Sequence, residues 1–347
     1  MHTFFSDIGA QIPLIQSPMA GAQDEELAIA VAQAGGIGSI PCATSSPQQV
    51  HASARRFQSV TSGPLNLNFF CHKVTDRDTQ REAIWLNELR GFYDDLSVAP
   101  EYPETGLPNT LSADMVDVAC AIKPTIASFH FGLPPTDFID RIRATGAKII
   151  ATATTLEEAI FLERSGCDAV IAQSQAAGGH QGMFLPTAEP SRLPTMDLVQ
   201  CIAAVVKIPV IAAGGIADTE TIRAVMAVGA SAVQIGTRFL KSPESKITPV
   251  HRRILEGDID RETAITNVFT GRPARGFINR LVREVGPINR NVQAYPYAIS
   301  ALAPLKAATA GTEDFVSLWA GENWKTGETK PAADIVAELA AAFRPQK

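Results

Sequence analysis

The residues whose types and spacing best suit chemistry are Gly178-Gly179-His180, inside the stretch VIAQSQAAGGHQG at 170–182. The apolar run at its head has the composition of a buried strand, so the glycines and the histidine fall at that strand's carboxyl end. Without Cβ atoms, Gly178 and Gly179 would let a flat ligand lie against their backbone. His180 is the one side chain there able to move a proton near neutral pH. The plainer alternative is a glycine turn carrying a surface histidine.

Two more loops look like binding elements. AAGGI (212–216) supplies Gly214 and Gly215; QIGTR (234–238) supplies Gln234, Ile235, Gly236 and Thr237. Glycines allow backbone N–H groups to converge, and a following helix N-terminus favours an anion. Thr237 adds a hydroxyl donor. In an α/β barrel these would be the loops after the seventh and eighth strands, a common phosphate site. Two tight turns that merely close a barrel are the alternative. A phosphate site beside a glycine wall suits a phosphorylated planar cofactor, FMN better than a sugar phosphate. Asn68 and Gln173 end candidate strands, and an amide both donates and accepts along a pyrimidine edge. Alternatively, both amides tie down loop backbone. Met19 and Ala20, after the first strand, would give backbone and apolar contact to the ring. No His, Cys or carboxylate cluster has metal-ligand spacing, so no metal is expected.

Strand signals that must position these residues occur at 13–16, 37–40, 65–70, 125–129, 148–152, 169–173, 210–213 and 232–235, separated by helical patterns. Strands alternating with helices imply right-handed βαβ units, and eight of them favour a closed (β/α)8 TIM barrel in the α/β class. A doubly wound open sheet would place GxGxxG after its first strand, and none is there. The barrel is expected over 1–240. It is interrupted by an insertion at about 74–109 that would serve as a lid or as the contact of a homodimer. A C-terminal extension, 241–347, would cover the barrel. It is expected to be helical at 243–260, β-like at 264–269 before Gly271-Arg272-Pro273, and mostly helical from Asn291 onward.

With 347 residues, 46% hydrophobic and 19% charged, the chain has enough apolar material for a large core. A net charge of −6 without a basic block argues against nucleic acid. No leader pattern or membrane-spanning stretch is visible. The scattered cysteines Cys42, Cys71, Cys120, Cys167 and Cys201 form no CxxC pair and suit reduced thiols. Together these point to a cytoplasmic protein acting on a small molecule.

In order along the chain, PLIQSPMAG, LNLNFF, SFHFGLP, AQSQAAGGHQG, AAGGI and QIGTRF resemble the nitronate monooxygenases, over about residues 12–240 and more weakly beyond. SFHFG narrows the resemblance to class I of that family. It implies an FMN-containing barrel that oxidises alkyl nitronates with O2 to a carbonyl compound and nitrite. His180 matches the catalytic histidine, taking the α-proton of a nitroalkane or holding the nitronate. Asn68, Gln173, Gly178, Gly215 and Gln234 to Thr237 match FMN-binding positions. His130 matches a second active-site histidine; a buried histidine bonded to a backbone carbonyl is the alternative. The family pocket draws on two tyrosines and a lysine at spacings of four. Here Tyr295 is followed at those spacings by Ile299 and Ala303, with Tyr297 and Lys306 out of register. That alignment removes a phenol and a cation and favours a plain alkyl nitronate over one bearing a carboxylate. Rivals on the same scaffold are NADH-dependent enoyl and quinone reductases, against which SFHFG argues. A protein that binds FMN without turnover is a third reading.

Overall fold

The computed structural model describes residues 3–103, 107–185, 192–257 and 259–344. Parts of the expected insertion (104–106), of the expected 243–260 helix (258) and of both chain ends lie outside these.

The main strands are β1 (Leu14–Gln16), β2 (Gly38–Pro41), β3 (Leu65–Phe70), β4 (Ile126–His130), β5 (Lys148–Ala153) and β6 (Ala169–Gln173). A two-residue β7 (Gly179–His180) stands apart from them, and β8 (Val210–Ala213) and β9 (Ala232–Ile235) complete the main set. Eight of them form a parallel sheet in the order β1-β9-β8-β6-β5-β4-β3-β2. A bridge between Ile15 and Ile37 joins its two edges, with Ile37 N–H donating to Leu14 O at 2.8 Å and Gln16 N–H to Ile37 O at 3.0 Å. The sheet is thereby nearly closed into a barrel, and the Gln16 and Gln23 side chains meet the Ser39 N–H and carbonyl where strand pairing between β1 and β2 stops.

The side-chain period of two sorts each strand's residues into two cores. Ile15, Ile37, Ile126, Ile150, Ile171 and Ile211 form one cluster with Phe5 from the first helix, Thr3–Asp7. Leu14, Leu67, Phe129, Ile149, Val170 and Val233 form the larger cluster with the surrounding helices. Helix starts carry the expected caps. Asp24 accepts from Glu26 N–H, and Ser46 and Gln49 form a capping box ahead of Pro47–Val60.

The C-terminal half adds β10 (Thr263–Thr266) and β11 (Ala274–Phe277), which form an antiparallel sheet with β7 in the order β10-β11-β7. Thus the Gly179-His180 dipeptide is itself a strand, paired with Arg275 and Ala274. A second core combines Trp85, Leu89, Phe92 and Tyr93 of the insertion with Val268, Phe269, Leu281, Leu302, Leu305 and Phe315. The last long helix, Ala332–Ala340, buries Ile335, Val336 and Leu339 in the barrel's outer core.

Two expectations about the C-terminal elements change. The helix expected at 243–260 is confined to Pro249–Glu256, because Thr248 caps it and Pro249 takes its first turn. The stretch 309–331 is largely irregular rather than helical. It carries Gly311, Gly321 and Gly327, and its aromatic residues lack a helical period. No helix among the described residues is long and apolar enough to cross a membrane.

Candidate active site

A cavity of about 430 Å3 opens at the carboxyl ends of the barrel strands. Most of the expected site residues line it: Met19, Ala20, Asn68, His130, Gln173, Gly178, Gly179, His180, Gly214, Gly215, Gln234, Gly236 and Thr237. Two do not. Ile235 points the opposite way from Gln234, as strand alternation requires, and is buried in the outer core. Tyr295 stands behind the cavity wall, its ring 5.6 Å from the His180 ring, 5.4 Å from Phe131 and 4.9 Å from His72.

The two glycines of the wall have different reasons to be glycine. A Cβ on Gly178 would lie 2.7 Å from the backbone of Ala320 and Gly321, so that position serves close approach of the C-terminal chain. Gly179 has φ +77° and nothing within 4 Å of its missing Cβ. It is the glycine that leaves room for a ligand.

Gln173 lines the cavity and also ties down loop backbone. Its Nε2 donates to the His180 carbonyl at 2.9 Å, and its Oε1 accepts from Gly182 N–H at 2.8 Å. The side chain therefore braces the segment that carries the histidine. Asn68 spends its Nδ2 on the carbonyl and hydroxyl of Ser128, at 3.3 and 2.9 Å.

His180 sits in an aromatic pocket, its ring 5.9 Å from Phe131 and 5.4 Å from Trp319. Its Nε2 is 2.9 Å from the Thr270 hydroxyl. His130 lies beside it, with Nδ1 3.1 Å from Thr152 Oγ1 and a hydrogen bond to the backbone of His180. Burial pushes His180 down to about 3; the neighbouring His130, Arg272 and His72 push in the same direction. His130 and His72 are each lowered to about 4, first by burial and then by Arg272. The cluster is thus neutral at physiological pH, and a neutral imidazole keeps a lone pair that can accept a proton.

Lys306 lines the same cavity with Ile299 and forms no ion pair with the described residues. Burial lowers its pKa. The out-of-register alignment therefore removes a phenol, with Ile299 at the wall, but the cation it counted as lost stands in the cavity. Tyr297 donates its hydroxyl to Thr75 O at 2.8 Å and is not part of this lining.

Thr270, Arg272 and Trp319 were not singled out as site residues from the sequence. The one available signal was Gly271-Arg272-Pro273, visible as a motif without an assigned partner.

A planar phosphorylated ligand fits three features. The buried Oε1 of Gln234 has no partner. The space at Gly179 is open. Gly215 and Gly236 line the far end of the cavity between strand ends, where backbone N–H groups can meet an anion.

Comparison with known proteins agrees with this geometry. The nitronate monooxygenase family model matches residues 2–342. A nitronate monooxygenase from Pseudomonas aeruginosa is 36% identical, covering 97% of this chain and 97% of that protein. One from Paraburkholderia phytofirmans is 37% identical, covering 96% and 92%. Among solved structures, a nitroalkane oxidase from Streptomyces ansochromogenes superimposes with a TM-score of 0.86 at 34% identity, covering 98% of this chain and 99% of that one. FabK from Thermotoga maritima superimposes with a TM-score of 0.72 at 27% identity, covering 98% and 95%. On this ground the chain belongs to the nitronate monooxygenase family of oxidoreductases.

Proposed function

We propose that the cavity binds FMN and that the protein oxidises alkyl nitronates with O2 to a carbonyl compound and nitrite. The observation that carries this reading is the meeting of His180, the Gly179 opening, the unpartnered Gln234 oxygen and the two glycine loops on one cavity. Gly214, Gly215, Gly236 and Thr237 would hold the phosphate. Met19, Ala20 and Gly179 would flank the ring, with Asn68 and Gln234 at its polar edge. Bound there, a flavin supplies the electron-transfer and oxygen chemistry.

The chain's own residues do the rest. His180, neutral and in the cavity wall, accepts the α-proton of a nitroalkane and, once protonated, donates a hydrogen bond to the resulting nitronate. His130 and Gln173 hold the backbone that carries it. Phe131, Trp319 and Tyr295 keep water from its ring. Lys306 is placed to pair with a negative group on the substrate, and this brings carboxylate-bearing nitronates back into the expected range. We further propose that the barrel residues within 1–240 bind the cofactor. In the same scheme the 241–347 segment, with the insertion, closes the substrate side.

A second reading, a flavin reductase using NAD(P)H, remains on the same scaffold, and the likeness to FabK bears on it. Anaerobic mixing separates the two. A spectral change with ethyl nitronate, none with NADH, and nitrite released on admitting air is the expected result. Rapid bleaching by NADH without response to nitronate would overturn the proposal in favour of the reductase. A purified protein that takes up no FMN would remove the basis of both.

A further inference from the structure

The turn Thr270-Gly271-Arg272 comes from a part of the chain about 90 residues beyond His180, and the reaction described above gives it no role. It is built tightly against the histidine segment. β11, which follows the turn, pairs Ala274 with His180 and Arg275 with Gly179, and Gln181 N–H donates to Pro273 O at 2.9 Å. These backbone bonds fix where Thr270 and Arg272 lie relative to the ring.

Thr270 Oγ1 has three neighbours. His180 Nε2 is at 2.9 Å, the Arg272 carbonyl oxygen at 3.3 Å and the Arg272 N–H nitrogen at 3.3 Å. A hydroxyl carries one proton and two acceptor lone pairs. With its proton directed to the Arg272 carbonyl, the oxygen accepts from Arg272 N–H and from Nε2–H. This assignment alone satisfies all three contacts. The proton of the neutral ring then sits on Nε2, and Nδ1 keeps the lone pair. Among the described residues Nδ1 has no hydrogen-bond partner, and His180 lines the cavity.

The Arg272 guanidinium stacks 4.2 Å from the Phe131 ring centroid and 5.6 Å from that of Tyr295, the two rings that themselves pack on His180. It donates to Met183 O at 3.2 Å and forms no ion pair with the described residues. The groups facing His180 are His130 at the end of β4, His72 after β3, Tyr295 from the C-terminal segment and Arg272 itself. Glu158, at the head of the Leu156–Arg164 helix, acts on Arg272 from further away.

We propose that Thr270 and Arg272 are positioning residues for His180: the hydroxyl fixes the ring with its proton on Nε2, and the guanidinium supplies a fixed positive charge behind the ring. The turn thereby makes Nδ1 the atom that handles the substrate's proton. This rests on the reading of His180 as the proton-handling group, but its two structural claims are tested without turnover.

The protein is labelled with 15N-histidine, and the His180 signal among six histidines is assigned with a His180→Asn variant. The 15N shifts report the tautomer and titration of the ring between about pH 5 and 8. The native ring should show the Nε2–H tautomer throughout. Thr270→Val should give a mixture of tautomers, and Thr270→Ser should restore the native one. Arg272→Met should bring the foot of the titration into that window, and Arg272→Lys should keep it below. In kinetics, Thr270→Val should lower kcat/KM for neutral nitroethane by about tenfold while changing ethyl nitronate less. An unchanged tautomer in Thr270→Val, or a Thr270→Ser ring as disordered as that of Thr270→Val, overturns the role of Thr270. A titration unmoved in Arg272→Met overturns that of Arg272. A native protein inert to both substrates would remove the catalytic reading of His180, while the ring signals would still decide the positioning roles.

Discussion

The two ends of the cavity are built by different means. The glycine end is made of Gly214, Gly215, Gly236 and Thr237, each within a few residues of a barrel strand's carboxyl end. The histidine end draws His130 from β4, His180 from β7 and Thr270 from the turn before β11, with Arg272 of the same turn stacked on Phe131 and Tyr295 next to the histidine ring. The first uses backbone and the absence of side chains. The second uses side chains that meet only after a second core has folded against the barrel. An anion-binding loop is thus a local device, while a tuned proton site needs several desolvating walls at once.

The largest break in this contrast should come from Gly214→Val. A Cβ there lies 2.4 Å from Ser174 Oγ and 2.9 Å from Ala177 N, so the loop must move. We expect FMN affinity to fall at least about 100-fold, or roughly 2.7 kcal/mol, read by fluorescence quenching on titration; unaltered affinity would remove this loop from the binding site. His180→Ala should do the reverse. It should lower kcat/KM by about 10²–10⁴ while FMN affinity stays within a few-fold, so colour and activity separate between the two variants.

Lys306→Met probes the substrate side of the cavity. KM for a carboxylate-bearing nitronate should rise about tenfold, near the 1.4 kcal/mol of a modest charged contact, with ethyl nitronate little changed. Equal effects on both substrates would show that Lys306 shapes the cavity rather than pairing with charge.

Acid should also distinguish the ends, because the titratable cluster lies at one of them. His180, His130 and His72 are held at about 3, 4 and 4 by burial, against 6.5 for an ordinary histidine. Above pH 6.5 both folded and unfolded chains carry them neutral, and their contribution to stability is intact. As pH falls below that value the unfolded chain takes up protons first, so stability is lost between about pH 6.5 and 3. The Tm should drop across that window, and more shallowly in His130→Gln; identical profiles would exclude His130 from the effect. The smallest change expected is Gly179→Ala. The site is open, so the cost is about 1 kcal/mol of left-handed backbone strain, measured by denaturant unfolding.

Much of this was legible in the residues. The eight strand signals became the eight strands of the nearly closed sheet because each is short and apolar enough to be buried on both faces. The glycine loops could be placed because a strand's end and the turn after it are neighbours in sequence. Gln173 lines the cavity, and its amide also holds the His180 carbonyl and the Gly182 N–H. Nothing local distinguishes an amide facing a ligand from one bracing a turn. The Ile235 side chain leaves the cavity for a simpler reason: a strand's alternation sends one of two adjacent residues to the outer core. Spacing along the C-terminal segment misplaced Lys306, since a segment with Pro304 and broken helices does not keep a period of four residues to a face.

By itself the sequence determined the barrel, its glycine loops and the histidine at the end of β6's loop. These depend on periodicity and on residues that act within one strand and turn. Only the tertiary structure decided the state and surroundings of that histidine. Thr270, Arg272, Tyr295 and Trp319 are distant from it along the chain, and the desolvation that keeps it neutral exists only where their elements pack together.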